Sequence, residues 1–400
     1  MDGTLGRGQS TPSRRAGAGC GPLSPGATLG VMGGGQLGAM FAAAATRMGY
    51  RVAAMTDAAD CPAARTATAL HVGSLDDAAA LGRIASGLDA VTFEFENVSA
   101  DAARAVAAAV PVRPAPDVLF TTQDRAREKA FLVKHGFACA AHRVVRSREE
   151  LHAAVASLGL PCVVKTAAFG YDGKGQRKIT AAGDVDAAWN AVGPRELVLE
   201  AWVDFDCEIS VVAARGLDGA TAAYAPSRNE HRNHILDVAS APANLPAAVL
   251  ARAQDMAIAI LVALDLVGVA CVEFFVTRAG DVLVNEIAPR PHNSGHLTIN
   301  ACETSQFEQQ VRAVCGLPLG STRQLAPAAM ANLLGDCWAH GEPDWAAALS
   351  VPGVSLHLYG KADPRPGRKM GHLTAVAATV AEAIANVTRA RDLASRGTRA

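Results

Sequence analysis

Apolar and polar positions follow two periods along the chain. ATLGVM, from Ala27, is a short, mostly apolar run that reads as a strand, and Gly33-Gly34-Gly35 follows as a glycine turn. A helical stripe follows in QLGAMFAAAATRMG, and YRVAAMT returns to a strand. The order strand, glycine turn, helix, strand opens a parallel α/β unit. VTFEFENV (91–98) predicts a further strand carrying Glu94 and Glu96. QDRAREKAFLVKHG predicts a helix from Asp124 to a C-cap at Gly136. LPCVVKTAAFGYDGKGQRKI (160–179) reads as a strand, a glycine-rich loop and a returning strand. Strands are also predicted in ELVLEAWV (196–203) and CEISVVAARG (207–216), and a buried helix at 250–266. GVACVEFFVTRAGDVLVNEIAPR (268–290) reads as a hairpin, and TSQFEQQVRAVCGL (304–317) as an amphipathic helix. Beyond about 325 come the strand-like VSLHLYGK, a turn at RPGRK and a final helix.

Composition narrows the function classes. Half of the 400 residues are apolar and 19% are charged, which excludes a mostly disordered chain. Residues 1–26 are the exception: rich in Gly, Ser, Pro and Arg without apolar period, they read as a disordered tail, with no apolar core of a secretory signal. Lys plus Arg is 37 against 38 for Asp plus Glu, so nucleic acid is not an expected partner. The apolar run Met256–Leu264 stops at Asp265, short of the about 20 residues a membrane span needs. The nine cysteines are scattered, without CxxC spacing, as expected of reduced thiols in a cytoplasmic protein.

Four segments carry candidate chemistry. Gly33-Gly34-Gly35-Gln36-Leu37-Gly38 fits G-x-G-x-x-G between a strand and a helix, and Asp57 follows the next strand. Backbone amides at such a turn suit a dinucleotide, but equally any other anion, or a purely structural turn. Lys165 sits on a strand just before Gly170-Tyr171-Asp172-Gly173-Lys174-Gly175-Gln176. A lysine before a glycine loop suits nucleotide phosphates, and the Walker ending is absent; a tight hairpin with a snorkelling lysine fits the same letters.

The third segment is the hairpin. A loop of Arg278–Asp281 pairs Thr277 with Val282 and sets Glu273 opposite Glu286 on one face. A loop longer by one residue would place Asn285 there instead. Facing carboxylates repel unless neutralised, and magnesium takes such oxygens together with phosphate; a solvated face is the alternative, disfavoured by the flanking Val, Phe and Ile. Fourth, Arg290, His292 and Ser294 follow at once in APRPHNSGH, and Arg365, Arg368 and Lys369 form a second basic turn. If both face one cleft they would hold a phosphorylated substrate; an exposed basic turn is the other reading.

GGGQLG, FEFENV, VVKTAAFGYDGKGQ, VNEIAPRPHNSGH and RPGRKMGHL occur in this order in one family. From about residue 28 to 385 the chain resembles the 5-(carboxyamino)imidazole ribonucleotide synthases, ATP-grasp enzymes of purine biosynthesis. The resemblance implies an α/β and α+β architecture: a Rossmann-like pre-ATP-grasp domain (27–123), a two-lobed ATP-grasp (small lobe about 124–199, large lobe about 200–325) and a small C-terminal domain (326–400). It implies ATP rather than NAD, with magnesium or manganese. ATP contacts would fall on Arg125, Lys165, Gly170 to Gln176, the interlobe hinge Glu200, Ala201, Trp202 and Val203, then Glu208, His231, Asn285 and Glu286. The metal would sit on Glu273 and Glu286. Gln36, Glu94, Tyr171, Asp172, Arg290, His292, Ser294, Arg365, Arg368 and Lys369 would hold aminoimidazole ribonucleotide. Asp172, Arg290 and Lys369 are the expected catalytic residues, Asp172 on the substrate amine and Arg290 on bicarbonate. The family also implies a homodimer. Two rivals are a sibling such as a formate-using glycinamide ribonucleotide transformylase or a biotin carboxylase, and a Rossmann NAD(P)-dependent oxidoreductase. The second has no use for paired carboxylates and a second glycine loop.

Overall fold

The computed structural model of the chain describes residues 21–168 and 175–397. Loop residues 170–174, with the expected contacts of Gly170, Tyr171, Asp172, Gly173 and Lys174, therefore lie outside the described residues.

Three sheets organise the chain. The first holds β1 (Thr28–Met32), β2 (Arg51–Thr56), β3 (Ala69–Val72) and β4 (Ala90–Phe93), all parallel, in the order β3-β2-β1-β4. Leu29, Val31, Val52 and Ala54 pack on the helix Gln36–Arg47, while Met32, Met55, Val91 and Phe93 fill the opposite face. Two buried faces explain the mostly apolar runs. β4 ends at Phe93, earlier than the sequence suggests, so Glu94 and Glu96 stand beyond the strand's carboxyl end, where such sheets present polar groups.

The second sheet is antiparallel: β5 (His142–Val145), β6 (Cys162–Thr166), β7 (Gln176–Ile179) and β8 (Leu197–Ala201), ordered β5-β8-β6-β7. Its inner face meets the helices Arg148–Leu158 and Val185–Val192 through Leu151, Val164, Ile179, Trp189 and Leu199. The helix Arg125–Lys134 precedes it, capped by Asp124, whose carboxylate accepts from Arg127 N at 2.9 Å. Such a cap contributes about 1 kcal/mol.

The third sheet has nine strands. They are β9 (Phe205–Arg215), β10 (Thr221–Ala223), β11 (Ser227–Arg232), β12 (Ile235–Ala241), β13 (Gly268–Thr277), β14 (Val282–Ala288), β15 (Ala328–Leu334), β16 (Val354–Leu358) and β17 (Lys369–Val376). The main path runs β14-β13-β9-β11-β12-β15-β17-β16. One face packs on the helix Ala247–Ala263 through Ile209, Val211, Val272 and Phe274. The pairing of β12 with β15 carries the sheet without a break across residue 326. Trp202–Asp204, between β8 and β9, joins the second sheet to the third. Among the described residues no helix is long and apolar enough to cross a membrane, and the eight cysteines are free.

Candidate active site

A cavity of about 470 Å³ opens where the three sheets meet. β6 and β7 contribute Lys165 and Gln176; β9 and β11 contribute Glu208 and His231; β13 and β14 contribute Glu273, Asn285 and Glu286. Arg125 enters at the start of its capped helix, Arg290 and His292 follow β14, and Lys369 opens β17. Eleven of the sequence-selected residues thus line one space. The sheet period explains part of this. Ser210 stands opposite Glu273, which stands opposite Glu286, and Glu208 lies two residues from Ser210, so these side chains share a face.

The carboxylate pair forms by an unexpected route. The hairpin pairs Val276, not Thr277, with Val282. That longer loop would put Asn285 opposite Glu273. A β-bulge at Asn285 absorbs one residue, and the ladder resumes with Glu273 opposite Glu286. Burial raises the Glu273 carboxyl well above its ordinary range, and Glu286 and Glu208 push it further. Glu208 is pushed up to about 7 by burial and by Glu286. His292 is kept neutral by burial and by Arg290 and Lys369. Its Nδ1 accepts from Ser294 N at 3.3 Å, so Nε2 carries the proton that faces Glu273 Oε1 at 3.2 Å. Ser294 is fully buried, its hydroxyl lies 2.9 Å from His292 Nδ1, and it is absent from the cavity lining.

Lys165 reaches the cavity from β6 and pairs with Glu200 at 2.7 Å. Burial would raise the Glu200 carboxyl, but Lys165 and Lys129 hold it down at about 2. Its side chain is therefore committed to lysines. Trp202 is 42% exposed, with Lys178 Nζ 3.4 Å from its ring centroid. Ala201 and Trp202 donate backbone N–H bonds to Ala141 and Pro161. Arg290 is gripped by Glu96 through two bonds of 2.5 Å. Burial would raise Glu96, and Arg290 reverses that.

Several selected residues stand away from the cavity wall. Gln36 begins the first helix, and the anion at that helix N-terminus is Glu94, which accepts from Gly35 N and, at 2.7 Å, from Gly38 N. A Cβ at Gly33 or Gly35 would strike the Glu94 side chain. Glu94 thus fills the glycine turn that the fingerprint offers to a phosphate. Arg365 and Arg368 gather around Asp363, at 2.9 Å from its carboxylate and 2.7 Å from its carbonyl. Their turn lies so close to Gly335 that a Cβ there would meet the Arg365 carbonyl oxygen. His296 and His372 leave the site altogether. They are buried beside Tyr359 and the half-buried His357, the His357–His372 and His296–His372 ring centroids being 4.4 and 4.7 Å apart. Tyr359 Oη lies 2.9 Å from His372 Nδ1, His357 Nε2 donates to Asn300 at 2.8 Å, and Gln306 donates to His296 Nδ1 at 3.1 Å.

Comparison with known proteins places this geometry. Residues 26–123 match the ribonucleotide synthetase preATP-grasp domain, 130–307 the ATP-grasp domain, and 328–386 the phosphoribosylaminoimidazole carboxylase C-terminal domain. N5-carboxyaminoimidazole ribonucleotide synthase of Bacillus subtilis is 40% identical over 352 residues, 88% of this chain and 92% of the relative. The chain belongs to the N5-carboxyaminoimidazole ribonucleotide synthase family. The fold agrees: an ADP complex of an N5-carboxyaminoimidazole ribonucleotide synthetase superposes with a TM-score of 0.88 at 38% identity, covering 92% of this chain and 97% of that one. The Aspergillus clavatus synthase in complex with ADP and 5-aminoimidazole ribonucleotide gives 0.84 at 32% identity, covering 93% and 99%.

As a member of this synthase family the chain is an ATP-grasp ligase, and its site holds residues that the sequence reading passed over. Glu96 was visible in FEFENV but carried no role until its fork on Arg290 appeared. Glu128 and Lys129 lie in a helix that reads as a charged surface, yet they are 2% and 1% exposed. Lys361 donates to the Lys369 carbonyl at 2.7 Å, and its ammonium is lowered to about 8 by burial and by Arg368. Nothing in local periodicity signals such burial; only unusual charge density in otherwise packed segments hints at it.

Proposed function

We propose that the chain carboxylates the exocyclic amine of 5-aminoimidazole ribonucleotide with bicarbonate, converting ATP to ADP and phosphate, within purine biosynthesis. The observation that carries this is the convergence on one cavity of Lys165, the Glu273–Glu286 pair and the Arg290–Lys369 end, in a chain of this family. ATP enters between the second and third sheets, adenine toward the Trp202–Asp204 connection and phosphates toward Lys165. The ribonucleotide takes the end marked by Arg290 and Lys369.

A bicarbonate oxygen attacks the γ-phosphorus, and the bond to the β–γ bridging oxygen breaks as ADP leaves. The resulting carboxyphosphate releases phosphate and carbon dioxide. The amine attacks that carbon dioxide, forms the new C–N bond and loses a proton, for which Asp172 is the proposed acceptor. The protein's part is positioning and charge. Lys165 neutralises phosphate oxygens. Arg290, held in plane by Glu96, presents its remaining guanidinium edge to bicarbonate. Glu208 accepts from the ribose hydroxyls.

The donor set also fits a nucleotide-borne magnesium, with manganese as its substitute. Two facing carboxylates with the Asn285 amide beside them suit an ion that keeps phosphate oxygens among its ligands. Among the described residues no cluster of three metal-binding side chains stands ready-made. Glu273 and Glu286 would hold the ion; when bound it neutralises charge on the transferred phosphoryl group. We also propose a homodimer, which sedimentation of the purified protein tests, and a cytoplasmic location, which cell fractionation tests.

ADP release is measured from magnesium-ATP with the ribonucleotide, with bicarbonate present and then depleted. Release that needs the ribonucleotide and rises with bicarbonate is expected. A folded enzyme that binds ATP but ignores the ribonucleotide would instead point to glycinamide ribonucleotide with formate.

A further inference from the structure

The bulge that restores Glu286 to its place opposite Glu273 takes Asn285 out of the regular ladder, and its carbonyl needs another partner. That partner is Lys129, whose ammonium donates to Asn285 O at 2.8 Å. On the other side of Glu286, Ile287 N donates to Glu128 Oε2 at 2.8 Å. Consecutive residues of the helix Arg125–Lys134 thus grip the backbone immediately before and after one carboxylate of the cavity. Lys129 has a second contact: its ammonium lies 3.6 Å from Glu200 Oε1, and the other Glu200 oxygen pairs with Lys165 at 2.7 Å.

We propose that Glu128 and Lys129 are positioning residues that set Glu286 against Glu273 and tie this metal-binding edge to Lys165 in the facing sheet. The chain of contacts runs from Lys165 through Glu200 and Lys129 to Asn285, so the phosphate lysine and the metal carboxylates are located by one helix. Packing alone does not call for these residues. Both side chains are almost fully buried, and Glu128 Oε1 has no hydrogen-bond partner among the described residues. Apolar side chains of the same volume would satisfy a core position with less desolvation. What apolar residues cannot do is hold a carbonyl and an amide on either side of a ligand residue. Partners one step removed from a metal ligand commonly change metal affinity or activity by about 10–100-fold.

The inference rests on the ATP–magnesium reading, and its test separates the two. Mn²⁺ is titrated into the enzyme saturated with ADP, and free Mn²⁺ is followed by its paramagnetic resonance signal. The magnesium concentration giving half-maximal ADP release is measured beside it. Glu128→Leu is expected to weaken Mn²⁺ binding about tenfold or more. Glu128→Gln, which keeps an oxygen for Ile287 N–H, should weaken it less. Lys129→Met is expected to weaken Mn²⁺ binding and also to lower kcat, because Glu200 and Lys165 lose their support. If Lys129→Met does not fold, Glu128→Leu decides alone. A merely structural role would lower Tm and leave the Mn²⁺ affinity of the folded protein at the wild-type value; that result overturns the inference. Failure of the wild-type ADP complex to bind Mn²⁺ overturns the magnesium reading and the inference with it.

Discussion

The cavity and the histidine cluster both bury ionisable side chains, and they set them in different surroundings. In the cavity Glu273, Glu286 and Glu208 crowd one sheet face, and burial, with their mutual repulsion added, raises Glu273 and Glu208. The cluster of His296, His357 and His372 packs closed on itself. Burial pushes all three down, His296 to about 3, and their rings stack as neutral, hydrogen-bonded packing units. A face that crowds acidic groups around an open cavity leaves room for a counter-charge. A cluster that packs closed on itself is built to hold strands together. The RPHNSGH segment contributes to both: His292 lines the cavity, while His296 packs between Phe307 and His372.

The strongest way to break this comparison is to remove a cavity carboxylate. Glu286→Gln is expected to lower kcat/KM by about 10³-fold, several kcal/mol of lost charge stabilisation. Steady-state ADP release measures it, and a loss under tenfold would show that the carboxylate pair is not the functional core. The same substitution relieves repulsion, so the ligand-free protein should be more stable by about 1 kcal/mol, read from urea unfolding.

Acid tests the other region. A histidine lowered by folding favours the neutral form, so the unfolded chain binds protons first as pH falls. Stability should therefore hold above pH 6.5 and decline below it toward the folded pKa, about 3 for His296. Each such histidine contributes a slope of about 1.4 kcal/mol per pH unit in that window. His296→Gln should flatten the slope in urea unfolding measured at pH 7, 6 and 5. An unchanged slope would assign the acid sensitivity elsewhere.

The smallest expected effect sits at the boundary between the regions. Ser294→Ala removes the hydroxyl beside His292 Nδ1, a neutral bond contributing about 1 kcal/mol. A drop of about fivefold in kcat/KM, with KM for the ribonucleotide unchanged, is expected. A rise in that KM alone would make Ser294 a substrate contact after all.

How far the sequence revealed these regions depends on which interactions are local. The glycine turn, the hinge and the hairpin are short-range patterns, so their elements were legible. The Glu273–Glu286 pairing was also legible, but through a loop length the chain does not use; only the bulge at Asn285 makes it right. A bulge inserts a residue without altering the alternation on either side, so periodicity cannot place it. The occupant of the glycine turn, Glu94, comes from another strand's end, and the fork of Glu96 on Arg290 spans 194 residues. Long-range pairs of this kind leave no local spacing. His292 and His296 differ in fate although they are near neighbours in sequence, because one precedes a single helical turn and the other follows it.

The unbroken sheet across residue 326 has a mechanical consequence. Glu273 and Glu286 at one end and Lys369 at the other ride on a single hydrogen-bonded plate. That plate cannot part between them. The four-stranded sheet that carries Lys165 is a separate plate, joined through Trp202–Asp204. The distance from the carboxylates to Lys369 is thereby set within one sheet, and the distance from either to Lys165 between two.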